Sequence, residues 1–189
     1  MQLTKKFVDA LAYASEAHQS QKRKGTDIPY IAHLLGVASI ALEHGATEEE
    51  AIAALLHDAV EDAGGKPRLE DIRRRFGQDV AKIVEGCTDA DTIPKPPWRE
   101  RKEAYLQHVA EASASVRLVS ASDKLHNARA ILSDYRKMGD KLWSRFNGGK
   151  EGTLWYYRSL VEVFRQAGSN SLAEELDRVV SEIEKLASA

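Results

Sequence analysis

The chain has 189 residues, of which 43% are hydrophobic and 30% charged, so a folded core is expected and a disordered chain is excluded. Its 27 lysines and arginines nearly balance its 29 aspartates and glutamates, which gives no general attraction to nucleic acid or to an acidic membrane. Because Cys87 is the one cysteine, and neither a secretory leader nor a membrane-length apolar run is apparent, we expect a cytoplasmic protein without an internal disulfide and without nucleic-acid or membrane partners.

Nearly every segment repeats its apolar residues with the period of an α-helix. After the first predicted helix comes a polar stretch with glycine and proline, and a second helix runs from Tyr30 toward Glu43. Thr47 and Glu50 form a capping box that opens a third helix, which we expect to continue through residues 55–64.

The second half of the chain is also predicted to be helical. Two short helices lead to the segment 92–98, TIPKPPW, which must be a loop because its closely spaced prolines exclude a helix interior. Further helices are predicted at 98–112, 115–138, 151–167 and 171–187. The last helix would open with a capping box at Ser171. We therefore expect an all-α helical bundle, one domain over residues 1–189, with the last helix (about 170–187) as a peripheral brace.

The stretch LLHDAVEDAG at residues 55–64 combines apolar residues with a histidine and three carboxylates. His57 and Glu61 share one helical face and Asp58 and Asp62 the neighbouring one, because each pair is spaced by four residues. The predicted helix contains no lysine or arginine to pair with these acids, and its last turn would place Glu61 and Asp62 where the macrodipole disfavours negative charge. A bound cation would supply the missing positive charge.

Candidate partners for this stretch lie on two other predicted helices. His33 lies in YIAHLL, and Asp123 lies in SASDKLHNARAIL with Asn127 one helical turn further on. An isolated residue of either kind is more commonly structural than functional. Together with His57 and Asp58, however, these residues offer two imidazoles and two carboxylates, which suit a divalent metal.

The order of these residues, H…HD…D, resembles that of the HD metal-dependent phosphohydrolases, which implies an all-α HD-domain helical bundle. The stretches HQSQKRKGTDIPYIAHLLGVA, LLHDAVED and SASDKLHNARAIL look like successive motifs of the (p)ppGpp hydrolase domain in Rel/Spo-type enzymes of the stringent response. The similarity runs from about residue 7 to about residue 165 and includes no synthetase domain. The chain is therefore similar to the small alarmone hydrolases.

The resemblance implies roles for the residues around the HD motif. His33, His57, Asp58 and Asp123 would bind one divalent metal, usually manganese, although zinc, iron or cobalt could occupy such a site. Glu61 and Asp62 match a pair that is credited with orienting and activating the attacking water.

Other matching positions concern the nucleotide. Arg23 and Lys24 match a basic pair beside the substrate, and Asn127 matches the asparagine of an LHN motif near the metal. Tyr157 aligns with a position that could line the nucleoside pocket. Two further histidines are expected to have different roles. His18 could contact and support a metal ligand, whereas His126 is expected to be a surface or structural residue.

The implied reaction is manganese-dependent hydrolysis of the 3′-pyrophosphate of ppGpp or pppGpp, which gives GDP or GTP and pyrophosphate. Two alternatives stay open. One is an HD phosphohydrolase of another nucleotide, such as pppApp, NADPH or a nucleoside monophosphate, and the other is a non-catalytic regulator that binds alarmones. The expected partner is a small nucleotide, and a homodimer is left open.

Overall fold

The computed structural model describes residues 2–88 and 96–188, and within these ranges the chain forms α-helices, one 3-10 helix and no β-strand. The α-helices are α1 Lys5–Ala17, α2 Ile31–Glu43, α3 Glu48–Leu56, α4 Ala59–Ala63, α5 Gly65–Phe76, α6 Gln78–Cys87, α7 Trp98–Glu111, α8 Ala114–Met138, α9 Gly149–Gln166 and α10 Asn170–Ala187. The 3-10 helix, Gly139–Arg145, joins α8 to α9. The prediction of an all-α fold is confirmed.

The third predicted helix is interrupted, so the expectation of one continuous helix through residues 55–64 is wrong. Helix α3 ends at Leu56 and α4 begins at Ala59, with a turn at the two residues between them. The Nδ1–H of His57 donates to the carbonyl of Ala54 at 2.8 Å. An uninterrupted helix would offer that carbonyl to the amide of Asp58, so the imidazole competes with the helical hydrogen bond.

The interruption changes the position of the two acids that follow. Glu61 and Asp62 lie in the first turn of α4 and not at the C-terminus of a long helix. The expected conflict with a helix macrodipole therefore does not arise, because negative charge near a helix N-terminus is favourable.

Two predictions concern the starts of helices. The capping box at Thr47 is confirmed, since its amide donates to Oε2 of Glu50 at 2.7 Å and its hydroxyl accepts from the amide of Glu50 at 3.3 Å. The capping box at Ser171 is wrong, because Ser169 is the N-cap of α10. Ser171 lies inside the helix, where its hydroxyl contacts Nδ1 of His44 at 3.1 Å. A contact between distant segments has replaced the local cap.

The apolar residues form two clusters that meet along α8. The first cluster gathers α1 to α6, and within it residues 52–56 of α3 have no exposed surface. The second gathers α7, α9, α10 and the 3-10 helix. Helix α8 contributes Val116 and Val119 to the first cluster and Leu125 to the second. Asp123 therefore lies where the two clusters join.

The last helix packs against α8 and α9. Its buried face consists of Leu172, Ala173, Leu176, Val180, Ile183 and Ala187. Arg158 of α9 adds hydrogen bonds to the carboxylates of Asp177 and Glu184. The extent of the domain and the role of α10 as a brace stay predictions.

Two further expectations concern the Pro-rich segment and the membrane. Residues 92–95 of the predicted loop 92–98 lie outside the described residues, whereas Pro97 is the N-cap of α7 and Trp98 its first residue. Within the described ranges, none of the helices combines the length and the apolar character needed to cross a membrane.

Candidate active site

The side chains that were predicted to bind metal converge where the two apolar clusters meet. Nε2 of His33 lies 3.2 Å from Oδ1 of Asp123 and 3.6 Å from Oδ2 of Asp58. Nε2 of His57 lies 3.0 Å from Oδ2 of Asp58 and 3.7 Å from Oδ1 of Asp123. Helix α2, the turn between α3 and α4, and helix α8 thus bring two imidazoles and two carboxylates into one group, which we call the HD cluster.

Both imidazoles of the HD cluster are oriented by a hydrogen bond at Nδ1, the nitrogen that faces away from the carboxylates. For His57 the partner is the carbonyl of Ala54, and for His33 it is Nδ1 of His126, at 2.9 Å. Nε2 of His57 is buried and makes no well-aligned hydrogen bond, although two carboxylate oxygens lie close to it. Metal-binding histidines are commonly oriented in this way, with one nitrogen bonded to the protein and the other directed at the ion.

The expectation that His126 is a surface or structural residue holds in its structural form, because its ring packs against that of His33. Burial, together with the nearby His33 and Arg23, lowers the pKa of His126 to about 4. The ring is therefore neutral at neutral pH, and its Nδ1 can accept the proton that His33 carries on Nδ1. Only the position of His126, three residues after Asp123 and thus on the same side of α8, could have signalled this role.

The charges of the HD cluster favour a cation at its centre. Burial alone would raise the pKa of the Asp58 carboxyl, but the neighbouring imidazoles of His57 and His33 hold it well below its usual range. Burial acts in the same way on Asp123, where the ammonium group of Lys124, 2.6 Å away, holds the pKa well below its usual range. Burial lowers the pKa of His57, but the two carboxylates raise it well above its ordinary value. Ionised carboxylates and imidazole nitrogens together fit a divalent metal.

Tyr30 and Lys124 are site residues that the sequence did not predict. The hydroxyl of Tyr30 donates to Oδ2 of Asp58 at 2.6 Å, and Lys124 donates to Oδ2 of Asp123. Tyr30 lies one helical turn before His33, and Lys124 directly follows Asp123, so proximity in sequence was the available signal.

The predicted substrate residues Arg23 and Asn127 are connected to the HD cluster. Nδ2 of Asn127 donates to Oδ1 of Asp123 at 2.5 Å, and Nη2 of Arg23 donates to Oδ1 of Asn127 at 2.6 Å. A chain of hydrogen bonds therefore runs from the loop between α1 and α2 to a predicted metal ligand.

Two adjoining cavities open beside the HD cluster. The smaller has a volume of about 250 Å³, and its lining includes His57, Asp58 and Asp123. The larger has a volume of about 780 Å³, within the usual range for small-molecule sites, and its lining includes His33. The residues that line both cavities are Tyr30, Glu61, Arg101, Lys102, Lys124 and Asn127.

The larger cavity combines positive charge with aromatic surface. Its further cationic lining residues are Arg23, Lys24, Lys137 and Arg145, and its aromatic ones beyond Tyr30 are Trp98, Phe146, Tyr156 and Tyr157. The predicted residues Arg23, Lys24 and Tyr157 thus share one cavity with Asn127. Such a lining suits a ligand that has both phosphate groups and a planar ring.

The side chains of Glu61 and Asp62, which were predicted to act as a pair, face different surroundings. Glu61 lines both cavities, whereas Asp62 lines neither of them. Oδ2 of Asp62 instead accepts a hydrogen bond from Nε2 of Gln21 at 2.8 Å. Loss of solvent raises the pKa of Asp62, and the bond from Gln21 acts against this shift.

The all-α bundle and the HD cluster between its helices define an HD-type metallohydrolase, and the chain matches the HD domain family over residues 10–154. It is similar to a Xenopus tropicalis protein named guanosine-3′,5′-bis(diphosphate) 3′-pyrophosphohydrolase MESH1, with 37% identity over 172 residues that cover 89% of this chain and 88% of that protein. The human protein of the same name is 38% identical over 128 residues, covering 66% of this chain and 69% of the relative.

A solved structure described as a metazoan ortholog of SpoT that hydrolyses ppGpp superposes with a TM-score of 0.80 at 28% identity, covering 97% of this chain and 98% of that one. The chain therefore belongs to the HD domain family and, within it, to the small alarmone hydrolases. Membership of the HD family implies a bound divalent metal, and His33, His57 and Asp58 offer ligand atoms that all lie within 4.8 Å of one another.

Proposed function

We propose that the protein is a guanosine-3′,5′-bis(diphosphate) 3′-pyrophosphohydrolase, which converts ppGpp or pppGpp and water to GDP or GTP and pyrophosphate. The observation that carries this proposal is the pair of adjoining cavities. The smaller is lined by three of the four residues of the HD cluster, and the larger offers cations and aromatic rings. One ligand can therefore place a pyrophosphate at the HD cluster and its nucleoside in the larger cavity. The relatives named for this activity support the same assignment.

We propose that His33, His57, Asp58 and Asp123 hold one manganese ion, because mixed nitrogen and oxygen donors suit this metal. When bound, a divalent ion lowers the pKa of water and neutralises phosphate charge. The protein prepares the site before the ion arrives: both carboxyls have lowered pKa values, and both imidazoles are fixed through Nδ1.

The reaction forms a bond between the water oxygen and the phosphorus nearest the ribose, and it breaks the bond between that phosphorus and the 3′ oxygen. We assign to Glu61 the role of accepting a proton from the attacking water, because its side chain faces both cavities. The 3′ oxygen regains a proton as it leaves. Lys102 and Lys124 also line both cavities and can bind the pyrophosphate at the junction.

The nucleotide is held in the larger cavity. Arg23, anchored by Asn127, and Lys24 present positive charge on the loop between α1 and α2. Tyr157, packed against Tyr156 with ring centroids 5.8 Å apart, supplies the apolar wall expected beside a nucleoside. Because aromatic walls accept either purine, a substrate panel must separate guanine from adenine alarmones.

The test is a hydrolysis panel of ppGpp, pppGpp, pppApp, NADPH and simple nucleotides with manganese present and products identified. We expect release of pyrophosphate from ppGpp and pppGpp. If the protein bound ppGpp tightly and released no pyrophosphate, the regulator alternative would be correct. Preferential hydrolysis of pppApp, NADPH or a monophosphate would instead establish another HD phosphohydrolase.

Two variants assign the roles of residues within the site. Asp58→Ala should abolish metal binding and turnover together. Glu61→Gln should bind manganese normally and lose about a hundredfold or more in turnover, as expected for a general base. Glu162→Gln, which changes an exposed acid of α9 outside both cavities, is the matched control and should behave as wild type.

We also infer a cytoplasmic location, from the composition and the single cysteine. The homodimer stays a prediction, which light scattering at several protein concentrations would test.

A further inference from the structure

We propose that Asp62 is a positioning residue, which fixes the rotation of α4 through Gln21 so that Glu61 alone faces the reacting groups. This assigns different roles to two neighbouring acids that sequence motifs treat as one pair. It rests on the proposed function, because positioning Glu61 matters only if Glu61 handles water.

Helix α4 needs side-chain contacts to hold its orientation. It has 5 residues, begins after the turn that carries His57, and is followed directly by Gly64 and Gly65, whose φ angles are 144° and 59°. A helix of this length has too few internal hydrogen bonds to be stable by itself. The bond from Gln21, which lies 41 residues earlier in the chain, connects α4 to the loop that follows α1.

The orientation of the Gln21 amide is determined by its two partners. The carboxylate of Asp62 can only accept, so the NH₂ group of Gln21 faces it. Oε1 of Gln21 then lies 2.5 Å from Nδ1 of His18, which donates to it. His18 is 3% exposed, so this second partner is itself held by the core.

The same contacts lead back to the HD cluster. The ring of His18 stacks on Tyr30 with centroids 5.1 Å apart and planes 22° apart. Tyr30 donates to the carboxylate of Asp58, and the amide of Asp62 donates to the carbonyl of Asp58 at 2.9 Å. Asp62 is therefore joined to a predicted metal ligand both along α4 and through three side chains.

The consequence for Glu61 follows from helix geometry. Consecutive residues of an α-helix point about 100° apart. When Gln21 holds Asp62 outside both cavities, its neighbour Glu61 is directed into them, as observed. Ala59 and Val60 anchor α4 in the first cluster, and the bond from Gln21 adds a contact on the opposite, exposed side. Losing that bond should loosen α4 and reduce the fraction of molecules in which Glu61 is in place.

A reversal of the hydrogen bond tests this role. In Asp62→Asn the amide oxygen can still accept from Gln21, so we expect kcat within about threefold of wild type. In Gln21→Glu two carboxylates oppose each other, and kcat should fall about tenfold or more, the usual scale for losing a partner that orients a functional residue. KM and manganese affinity should change less than about twofold, since neither residue lines either of these two cavities or belongs to the HD cluster.

The double variant Gln21→Glu/Asp62→Asn restores one amide and one carboxylate in reversed order, and kcat should return to within about threefold of wild type. Hydrogen exchange of the α4 amides gives a readout independent of activity: it should be faster in Gln21→Glu and normal in the double variant. If Gln21→Glu does not fold, Gln21→Met takes its place, because it removes the donor without adding charge. It should show the same loss of kcat and the same faster exchange.

The inference is overturned if Asp62→Asn loses as much activity as Glu61→Gln and the double variant does not recover. Asp62 would then act on water itself. That outcome leaves wild-type hydrolysis of ppGpp intact, whereas failure of the proposed function would appear as a wild-type protein that releases no pyrophosphate.

Discussion

Replacing Gly36 by alanine should disturb the orientation of His33, a predicted metal ligand, without unfolding the helix that carries it. A Cβ atom at this position would lie 2.2 Å from Cδ2 and 2.3 Å from Nε2 of His126. Ordinary contact begins at 3.4 Å, so the ring must move by about 1.2 Å. Because Nδ1 of the same ring lies 2.9 Å from Nδ1 of His33, a displacement of this size is enough to break that hydrogen bond.

The expected effect on metal binding is large enough to measure. Losing the partner that orients a metal-binding histidine typically weakens affinity by about 10- to 100-fold, which corresponds to about 1.4–2.8 kcal/mol. The helix itself gains about 0.5–1 kcal/mol from alanine relative to glycine, which offsets part of the cost of displacing the ring. Gly36 is not among the glycines with positive φ, so its backbone accommodates alanine.

Calorimetric titration of manganese into four proteins measures the effect: wild type, Gly36→Ala, His126→Ala and the double variant. Both single variants should bind more weakly. The double variant should match His126→Ala, because the added methyl group then has no ring to displace. Affinity of Gly36→Ala equal to that of wild type, or losses that add in the double variant, would refute the reasoning. Urea unfolding without metal checks that the fold is unchanged.

Three further predictions concern stability. Leu55→Ala should lower the free energy of unfolding by about 2.7–5 kcal/mol in urea titrations, because Leu55 has no exposed surface; a loss below about 1 kcal/mol would contradict its place in the core. Thr47→Ala removes the confirmed capping box and should lower the same quantity by about 1 kcal/mol, with Thr47→Ser close to wild type. Manganese at a hundred times its Kd should stabilise the metal-free fold by about 2.7 kcal/mol. Asp58→Ala should show no such response, and an unchanged wild-type Tm would contradict the assigned site.

The helices and the identity of the HD cluster could be predicted from the sequence because the signals are local. An apolar residue every three or four positions marks a helix wherever it packs. Likewise, His57 and Asp58 are adjacent, and the stretches around His33 and Asp123 resemble known motifs. The capping box at Thr47 needs only two residues three positions apart, and it forms as predicted.

Predictions that depended on distant contacts were wrong or missing. The third helix ends at Leu56 because His57 takes the carbonyl that the helix would have used. Ser171 contacts the histidine that follows α2 and is not the N-cap of α10. The part of His126 in orienting His33 became apparent only when α2 and α8 were packed together.

The sequence by itself determined that the chain is an all-α member of the HD family with a histidine–aspartate cluster, because helical periodicity and short motifs are properties of neighbouring residues. Only the tertiary structure decided which of the two acids of α4 faces the cavities. Asp62 is bound by Gln21, and Glu61 faces the cavities. The rotation of a five-residue helix depends on side chains far away in sequence, and no local pattern records it.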